Sequence, residues 1–359
     1  MRIAQIAQIT ESIPPKQYGG SERIISYLTE ELVRLGHHLT LFANGDSVTK
    51  ATLRSVCPRT EPREMSPFIR DAYLTLLVEQ AFGGAEQFDI VHSHIDFLGF
   101  PLARRSETPV LTTVHGKLNL LEMQVVYNEF PEVPLISISY SQRRPCPHAN
   151  WVANIYPGLP HDLYAGHTKP GGYLAFLGRI SPEKGPDIAI EVARRAGLPL
   201  KIAAKVDPVD REYFYQVVEP LLNPPDVEYL GELDDQEKND FLGNACALLC
   251  PFWPESFGLV LIEALACGTP VVSYKHGSFP EIVDDGVTGF LCQNADDMVD
   301  AVKRIRQIDR RRCRRTFEER FTAERMAQDY LLAYKDLLVE KSRINPFSAR
   351  KKRQPMSDR

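Results

Sequence analysis

Short apolar runs alternate with amphipathic stretches along the first half of the chain. The run from Arg2 to Ile9 predicts a buried strand, and apolar residues from Ser21 to Gly36 recur at the spacing of a helix. Gly36 is a typical helix end, and the run from Leu39 to Ala43 predicts a second strand. Further strands are predicted at Phe88 to His92, Val110 to Val114 and Leu135 to Ile138. A repeated strand–helix–strand order is the building block of a parallel sheet.

The same pattern begins again after a Pro-containing and polar segment from Tyr156 to Gly172, which we interpret as a linker between domains. Strands are predicted at Tyr173 to Leu177, Leu200 to Ala204, Val227 to Leu230, Ala247 to Cys250, Val271 to Tyr274 and Gly289 to Leu291. Helices are predicted at Asp187 to Ala196, Gly258 to Ala266, Ala295 to Ile308 and Ala323 to Leu338. The sequence therefore predicts an α/β fold with two consecutive doubly wound units, each with its own sheet.

This pattern suggests a division into two domains, a helix and a tail. We place the first domain at residues 1–160, the second at 161–322, a C-terminal helix at 323–344 and a mobile basic tail at 345–359. Because ligands bind outside the carboxyl ends of parallel strands, we expect the site in the cleft between the two units. Closure of this cleft would use hinges near Pro157 to Pro160 and before the last helix.

Composition and charge exclude several classes of protein. Hydrophobic residues make up 43% and charged residues 25% of the 359 residues, which is typical of a globular chain. A net charge of -5 gives no general case for nucleic-acid binding. Basic residues do cluster late in the chain, at Arg310, Arg311, Arg312, Arg314, Arg315, Arg350, Lys351, Lys352 and Arg353. A solvated helix face with a loose tail explains them, and a weak attraction to an anionic membrane or acceptor is the alternative.

The cysteines and the N-terminus indicate a reducing compartment. The seven cysteines are scattered and contain no Cys-x-x-Cys pair, so we expect neither a disulfide framework nor a zinc cluster. The first residues read as a strand and not as a signal peptide, and no apolar run has the length of a membrane span. We therefore expect a cytoplasmic protein.

A basic loop follows the first strand of the second unit, in the segment Gly178 to Gly185. Arg179 and Lys184 lie five residues apart in it, so both cations could converge on one anion. The planar donors of Arg and the point charge of Lys suit a diphosphate together. The alternative is a basic surface loop in which Ser181 and Pro182 start the next helix.

A second segment, from Pro254 to Glu263, combines two glutamates with a predicted helix start. On one helix Glu255 and Glu263 would lie about 12 Å apart, too far to hold one atom together. Since Glu255 precedes the helix and Gly258 begins it, the free N–H groups there could bind phosphate. Glu255 could then accept from sugar hydroxyls and Glu263 from ribose hydroxyls. An ordinary acidic helix start, favoured by the dipole, is the alternative.

The first unit offers two further candidates. Tyr18, Gly19 and Gly20 lie between the first strand and its helix, where glycines would let backbone amides approach a phosphate; a flexible turn is the alternative. His115 directly follows the strand Val110 to Val114, so it would face the cleft, although a lone histidine is often structural.

The segment His92-Ser93-His94-Ile95-Asp96 suggests a different enzyme. His92, His94 and Asp96 would lie on one side of an extended strand, a spacing found in metal-dependent hydrolases. That interpretation needs further ligands, which are not grouped downstream, and it leaves Glu255 and Glu263 without a role.

Taken together, these motifs resemble the donor site of family 4 glycosyltransferases, which have the GT-B fold. The resemblance rests on Arg179 with Lys184 and on Glu255 eight residues before Glu263, and it covers nearly the whole chain. The segments Gly268 to Val272, Pro280 to Val283 and Asp285 to Phe290 also resemble that family. The resemblance implies donor-binding roles for Gly19, Gly20, Arg179, Lys184, Glu255, Ser256, Phe257, Gly258, Leu259 and Glu263, and catalytic roles for His115, Glu255, Arg179 and Lys184.

The function that this resemblance implies is retaining transfer of a hexose from a nucleotide-diphosphate sugar to a hydroxyl acceptor, with no cofactor. No Asp-x-Asp motif appears where a metal would be expected, so Arg179, Lys184 and the helix start would replace the metal. UDP is the favoured nucleotide, but the segment Ala204 to Asp207 departs from the family pattern and leaves GDP and ADP open. Motif chemistry does not separate retention from inversion, nor does the segment Gly116 to Val133 identify the acceptor. A sugar-nucleotide epimerase and a catalytically silent binding protein are the alternatives.

Overall fold

The computed structural model describes residues 1–16, 19–56, 66–252 and 255–344. Within that part, the strands are β1 (Arg2–Ile6), β2 (His38–Phe42), β3 (Thr52–Arg54), β4 (Ile90–Ser93), β5 (Val110–Thr113), β6 (Leu135–Ser137), β7 (Trp151–Asn154), β8 (Tyr173–Arg179), β9 (Leu200–Lys205), β10 (Val227–Gly231), β11 (Ala245–Cys250), β12 (Val271–Tyr274) and β13 (Gly289–Cys292). The helices are α1 (Gly20–Arg34), α2 (Pro67–Gly83), α3 (Phe100–Ala103), α4 (Leu121–Glu129), α5 (Tyr140–Arg143), α6 (Pro186–Ala196), α7 (Arg211–Tyr213), α8 (Asp235–Gly243), α9 (Leu259–Ala266), α10 (Phe279–Ile282), α11 (Ala295–Arg304), α12 (Arg310–Arg320) and α13 (Ala323–Ile344).

The first sheet is parallel throughout, in the order β3-β2-β1-β4-β5-β6-β7. Its inner strand β1 is buried from Ile3 to Ile6, because helices cover both faces of a parallel sheet. One apolar face of α1, with Ile24, Leu28 and Leu32, packs into the same core. The reversal of strand order at β1 and β4 opens a crevice at their carboxyl ends.

The second sheet is also parallel, in the order β10-β9-β8-β11-β12-β13. Strand β11 is buried along its whole length, which explains its continuous apolar run. Here the order reverses at β8 and β11, so the loops after these two strands form a second crevice. The predicted α/β fold with two doubly wound units is confirmed, and the division that we predict at residue 160 falls in the segment that joins the two sheets.

The last helix returns from the second unit to the first. Leu159 and Thr322 form a bridge where the chain crosses, and α13 then packs against α1. Two buried tyrosines of α13 reach the first sheet: Tyr330 Oη lies 2.9 Å from Thr113 Oγ1, and Tyr334 Oη lies 2.7 Å from His92 Nδ1.

Two of the late arginines differ from the solvated face that we predict. Arg310 is buried, and its guanidinium donates to the carbonyl oxygens of His167, Gly243 and Ala245 at 2.7–2.9 Å. Arg314 donates to the carbonyl oxygens of Tyr164 and Ala266 and to that of His161. The prediction of a solvated helix face is therefore wrong for these two residues. Carbonyl groups at the ends of other elements have no backbone partner, and the two arginines supply the hydrogen-bond donors that they need.

The six cysteines within the described ranges are free and buried. None of the helices that the structure describes has the length and apolar character needed to cross a bilayer. Cys57, Tyr18, Pro254 and the basic tail at 345–359 lie outside the described residues. The cytoplasmic location stays a prediction.

Candidate active site

A cavity of about 900 Å³ lies between the two units, at the carboxyl ends of their strands. Both halves of the chain contribute to its wall. Of the predicted site residues, it is lined by Gly19, Gly20, His115, Lys184, Glu255, Ser256, Phe257, Gly258, Leu259 and Glu263. The structure therefore brings together ten positions that are spread over more than two hundred residues of the sequence.

Two helices begin at this cavity from opposite sides. Helix α9 begins at Leu259, after Gly258, whose φ of 103° is a conformation that glycine adopts readily. Helix α1 begins at Gly20, and a Cβ at that position would lie 3.3 Å from Leu259 Cδ1. The starts of the two helices thus approach each other closely. Since the first turn of a helix has free N–H groups and a partial positive charge, this arrangement favours an anion in the cavity beside them.

The loop that precedes α9 is held from behind. Ser278 Oγ donates to the backbone oxygen of Phe257 and is 3.2 Å from that of Glu255. From the other unit, Ser139 Oγ donates to the oxygen of Ser256 at 2.6 Å. These contacts reach three consecutive carbonyl groups and hold the backbone from which the Glu255 side chain projects.

Lys184 is the cation that lines the cavity on the side of the second unit's basic loop. Its side chain is buried, forms an ion pair with Glu255 and has Nζ 4.7 Å from the ring centre of Phe252. Burial lowers the pKa of Lys184 to about 8, with contributions from the charges of Arg179 and Lys117. Contact with the Glu255 carboxylate opposes this change by favouring the charged ammonium.

Arg179 lies elsewhere. Its guanidinium pairs with Glu183 and approaches Asp207 at 3.5 Å and Asp210 at 3.9 Å, and Arg179 is not among the residues that line the cavity. The predicted convergence of Arg179 and Lys184 on one anion is therefore not seen in this structure, because nearby carboxylates hold the arginine. Its role in diphosphate binding stays a prediction.

Glu263 projects from the second turn of α9 into a polar network. Its Oε1 accepts from Tyr164 Oη at 3.2 Å and lies 3.4 Å from Lys238 Nζ. Tyr164 also reaches Asp235, which pairs with Arg23 of α1 at 2.7 Å across the cleft. Sequence reasoning missed Tyr164, Lys238 and Asp235. The capping pattern of Asp234 with Glu237 could have placed α8, but not its distance from Glu263.

His115 lies at the carboxyl end of β5, as predicted, and faces the cavity. Its Nε2 is 2.9 Å from Nδ1 of His94, which follows the neighbouring strand β4. Burial lowers the pKa of His115 to about 4, so the ring is neutral at neutral pH. A neutral histidine offers one donor and one acceptor, which suits a hydroxyl group.

His92 has a structural environment. Its Nε2 is 2.8 Å from Thr113 Oγ1, its Nδ1 is bonded to Tyr334, and its ring lies 4.0 Å from the ring of His94. Burial is the main cause that lowers the pKa of His92 to about 3, and electrostatic repulsion from the nearby His115 is the second cause. Both ring nitrogens thus have hydroxyl partners. Over the described ranges, no three His, Cys, Asp or Glu residues are grouped so that they could hold a metal ion. The geometry gives the hydrolase alternative no support.

Comparisons with known proteins agree with this architecture. Residues 166–320 match the model of the glycosyl transferases group 1 family, and residues 18–153 match that of glycosyltransferase family 4. The chain is 25% identical to a D-inositol 3-phosphate glycosyltransferase of Kribbella flavida over 352 residues, covering 80% of this chain and 82% of that protein.

Solved structures are similar over nearly the full length. Sucrose-phosphate synthase from Thermosynechococcus elongatus has a TM-score of 0.76 at 21% identity, with 94% of this chain and 99% of that chain covered. Anabaena HepE, in a crystal structure with UDP and glucose, has a TM-score of 0.72 at 18% identity, with 94% and 100% covered. The two parallel sheets, the cleft between them and the two family matches that together span most of the sequence show that the chain is a family 4-like glycosyltransferase with the GT-B fold.

Proposed function

We propose that this glycosyltransferase transfers a hexose from a UDP-sugar to a hydroxyl acceptor, with retention of the anomeric configuration and without a bound metal. The observation that carries the proposal is the pair of helix starts, at Gly20 and Leu259, that lie close together in the wall of the cavity that Lys184 also lines. The diphosphate would lie beside both of them.

The diphosphate is favoured there by charge. Backbone N–H groups of two helix starts point their partial positive charge toward one region, and Lys184 adds a full charge beside it. In the described structure Lys184 is paired with Glu255. A diphosphate would exchange one anionic partner of the lysine for another and free Glu255 to accept hydrogen bonds from sugar hydroxyls. Arg179 would join only after leaving its carboxylate partners.

The nucleoside and the sugar would lie on opposite sides of the diphosphate. Glu263, buried in the second turn of α9, would accept from two ribose hydroxyls through its carboxylate. The hexose would lie between Glu255 and the neutral ring of His115. Solved structures of similar fold contain UDP with glucose, or UDP-glucose, and this similarity supports the choice of nucleotide.

The reaction breaks the bond between the anomeric carbon and the diphosphate oxygen, whose electron pair leaves with UDP. The acceptor oxygen forms the new bond to the anomeric carbon on the same face, and its proton passes to the departing phosphate oxygen. Negative charge therefore grows on the diphosphate. Lys184 and the two helix starts would stabilise this charge.

A nucleotide screen by thermal shift tests the donor assignment. A ligand present at 100 times its Kd stabilises the folded state by about 2.7 kcal/mol, so UDP should raise Tm more than GDP or ADP. Glu263→Gln should remove most of the UDP-dependent shift, because the amide replaces one acceptor oxygen by a donor. Glu228→Gln is the matched control, since Glu228 pairs with Lys201 outside the cavity. An unchanged UDP response in Glu263→Gln would contradict the ribose assignment.

Product analysis tests the reaction itself. With UDP-glucose and an acceptor pool, proton NMR should show a new α-linked glycoside whose yield is unaffected by a chelator. A β-linked product would overturn retention, and loss of activity in chelator would overturn metal independence. Conversion of the donor sugar without an acceptor would instead indicate an epimerase.

A further inference from the structure

A second cavity, of about 240 Å³, adjoins the large one inside the first unit. Ser21, His115 and Gly116 line both cavities, so the small one opens at the histidine that faces the donor side. Its other lining residues are Gln8, Glu22, Ile25, His94 and Asp96. These residues follow β1, β4 and β5 or begin α1, which places the small cavity at the crevice of the first sheet.

Two buried polar atoms at this cavity have no protein partner. His94 is 3% exposed, and its Nε2 has no hydrogen bond although its Nδ1 is bonded to His115. Asp96 Oδ1 is also buried and without a partner. Native proteins satisfy nearly all buried polar atoms, so each such atom calls for ordered water or a ligand as its partner. Two of them at one cavity that opens to the donor side fit a polar ligand that displaces water.

The charge of the cavity restricts that ligand. Glu22, in the first turn of α1, is buried and accepts from Ser21 Oγ at 3.0 Å, and Asp96 adds a second carboxyl group. Among the lining residues that the structure describes there is no lysine or arginine. Carboxylates accept hydrogen bonds from hydroxyls and repel phosphate or carboxylate groups.

The histidines narrow the chemistry further. Burial lowers the pKa of both His94 and His115, so neither ring carries a positive charge that would attract an anion. The bond between these two rings leaves His94 Nε2 as a donor or an acceptor, depending on which ring carries the proton. A hydroxyl group can complete either form, since it donates and accepts.

We propose that the small cavity is the acceptor subsite and that it binds an uncharged polyhydroxyl unit, a sugar or a polyol, in preference to its phosphate ester. This inference rests on the proposed function, because it takes the large cavity as the donor site. Asp96 and Glu22 accept from hydroxyls that the unit does not transfer, and the reacting hydroxyl lies beside His115, where the two cavities meet. We therefore expect this chain to differ from the Kribbella flavida relative, whose name contains the phosphorylated compound D-inositol 3-phosphate.

The test compares matched ligands on the full chain saturated with UDP. Calorimetric titration with glucose and glucose 6-phosphate, and with myo-inositol and inositol 3-phosphate, gives Kd for each pair. We expect at least one neutral member to bind at least about 10-fold more tightly than its phosphate ester. Tighter binding of the ester in both pairs, or no binding by either neutral compound, overturns the proposal.

Two variants that replace a carboxylate by an uncharged amide test which residues bind the neutral ligand. Asp96 has a φ of 49°, a left-handed conformation that asparagine tolerates well, so Asp96→Asn keeps the backbone while removing the carboxylate. We expect Asp96→Asn and Glu22→Gln each to weaken the neutral ligand about 10-fold and to narrow its advantage over the ester. Asp71→Asn is the matched control, since Asp71 is exposed on α2. Unchanged affinity for the neutral ligand in both variants overturns the assignment.

Binding at the donor site is measured separately in the same variants, as their affinity for UDP. UDP affinity should stay at the wild-type value in Asp96→Asn, because Asp96 does not line the large cavity. If UDP itself fails to bind the wild-type chain, the proposed donor is wrong, and the titrations are repeated with the nucleotide that the thermal screen selects. The comparison of neutral and phosphorylated ligands then still decides the acceptor proposal.

Discussion

Two groups of side chains on opposite sides of the cleft are held in opposite charge states, and we call them the neutral wall (His92, His94 and His115) and the charged wall (Lys184, Glu255 and Glu263). In the neutral wall His94 is buried, His115 is partly buried, and both rings are neutral. In the charged wall Lys184 and Glu263 are also buried but have ion-pair partners, Glu255 and Lys238. Burial alone removes the charge of a histidine, whereas an opposite charge within contact distance preserves that of a lysine or an acid.

This difference matches the two halves of a transfer reaction. The nucleophile is an uncharged hydroxyl, which a neutral histidine can both donate to and accept from. The leaving group is an anion, which cations and helix starts stabilise. The histidines thus supply hydrogen bonding and Lys184 supplies positive charge, and variants that change either group should break this division.

Removing the cation from the charged wall should have the largest effect. Lys184→Met keeps the aliphatic stem against Phe252 but removes the charge that would stabilise the leaving diphosphate. We expect the barrier to rise by about 2–4 kcal/mol, which lowers kcat/KM by about 30- to 900-fold. Steady-state kinetics with the donor at varied concentration measures it.

Lys201→Met is the matched control. Lys201 also pairs with a glutamate, Glu228 at 3.1 Å, and has Nζ 5.0 Å from the ring centre of Tyr173, but it lies outside the cavity. Wild-type kcat/KM in Lys184→Met would show that the diphosphate binds elsewhere.

Ionisation of Asp96, which lies next to the neutral wall, should destabilise the fold. Burial raises the pKa of Asp96 from 3.8 to about 6, against the opposing effect of the His115 backbone N–H. A folded-state pKa above the unfolded one means that the native state holds the proton more tightly. The contribution of Asp96 to stability is therefore lost as pH rises through about 6.

Asp96→Asn removes the ionisable carboxyl group and with it this pH-dependent loss of stability. The loss is measured as a change in the free energy of unfolding. The stability of the variant relative to wild type should increase by about 1.5 kcal/mol between pH 5 and pH 8. Urea unfolding at both pH values gives the difference, and His92, His94 and His115 titrate in both proteins and cancel. A pH-independent difference would show that the carboxyl group is not buried as described.

The smallest of the three effects should come from the hydroxyl that supports the neutral wall. Tyr334→Phe removes the partner of His92 Nδ1, and we expect a loss of about 1 kcal/mol in unfolding free energy. Tyr215→Phe, at an exposed tyrosine, should change nothing measurable. A loss equal to that of the control would mean that the bond to His92 contributes nothing.

The sequence predicts eleven of the thirteen strands that the structure describes, because buried parallel strands are continuous apolar runs. It misses β3 and β7, the two partly exposed edge strands of the first sheet. It misses α2, whose apolar residues include the exposed Phe68 and Leu76 and do not form one stripe. It also misses α12, where arginines dominate and only Cys313 and Phe317 mark an apolar face. Periodicity identifies a helix only where one face is apolar.

The site is predicted in part, and the failures are non-local. The positions of Lys184, Glu255 and His115 follow from their places after strands. The partners of Arg179 include Asp207 and Asp210, which lie on another loop, and spacing in sequence contains no information about them. The bond between His94 and His115 likewise follows from the pairing of β4 with β5, which the sequence suggests but does not align.

Helix α13 has a consequence for how the protein is made. Tyr330 and Tyr334 complete the hydrogen bonding of Thr113 and His92, so the unit synthesised first lacks these two partners until α13 has left the ribosome. A premature stop before residue 323 would leave buried polar groups unmatched in a region more than two hundred residues upstream. The first unit therefore reaches its final stability only after α13 has been synthesised.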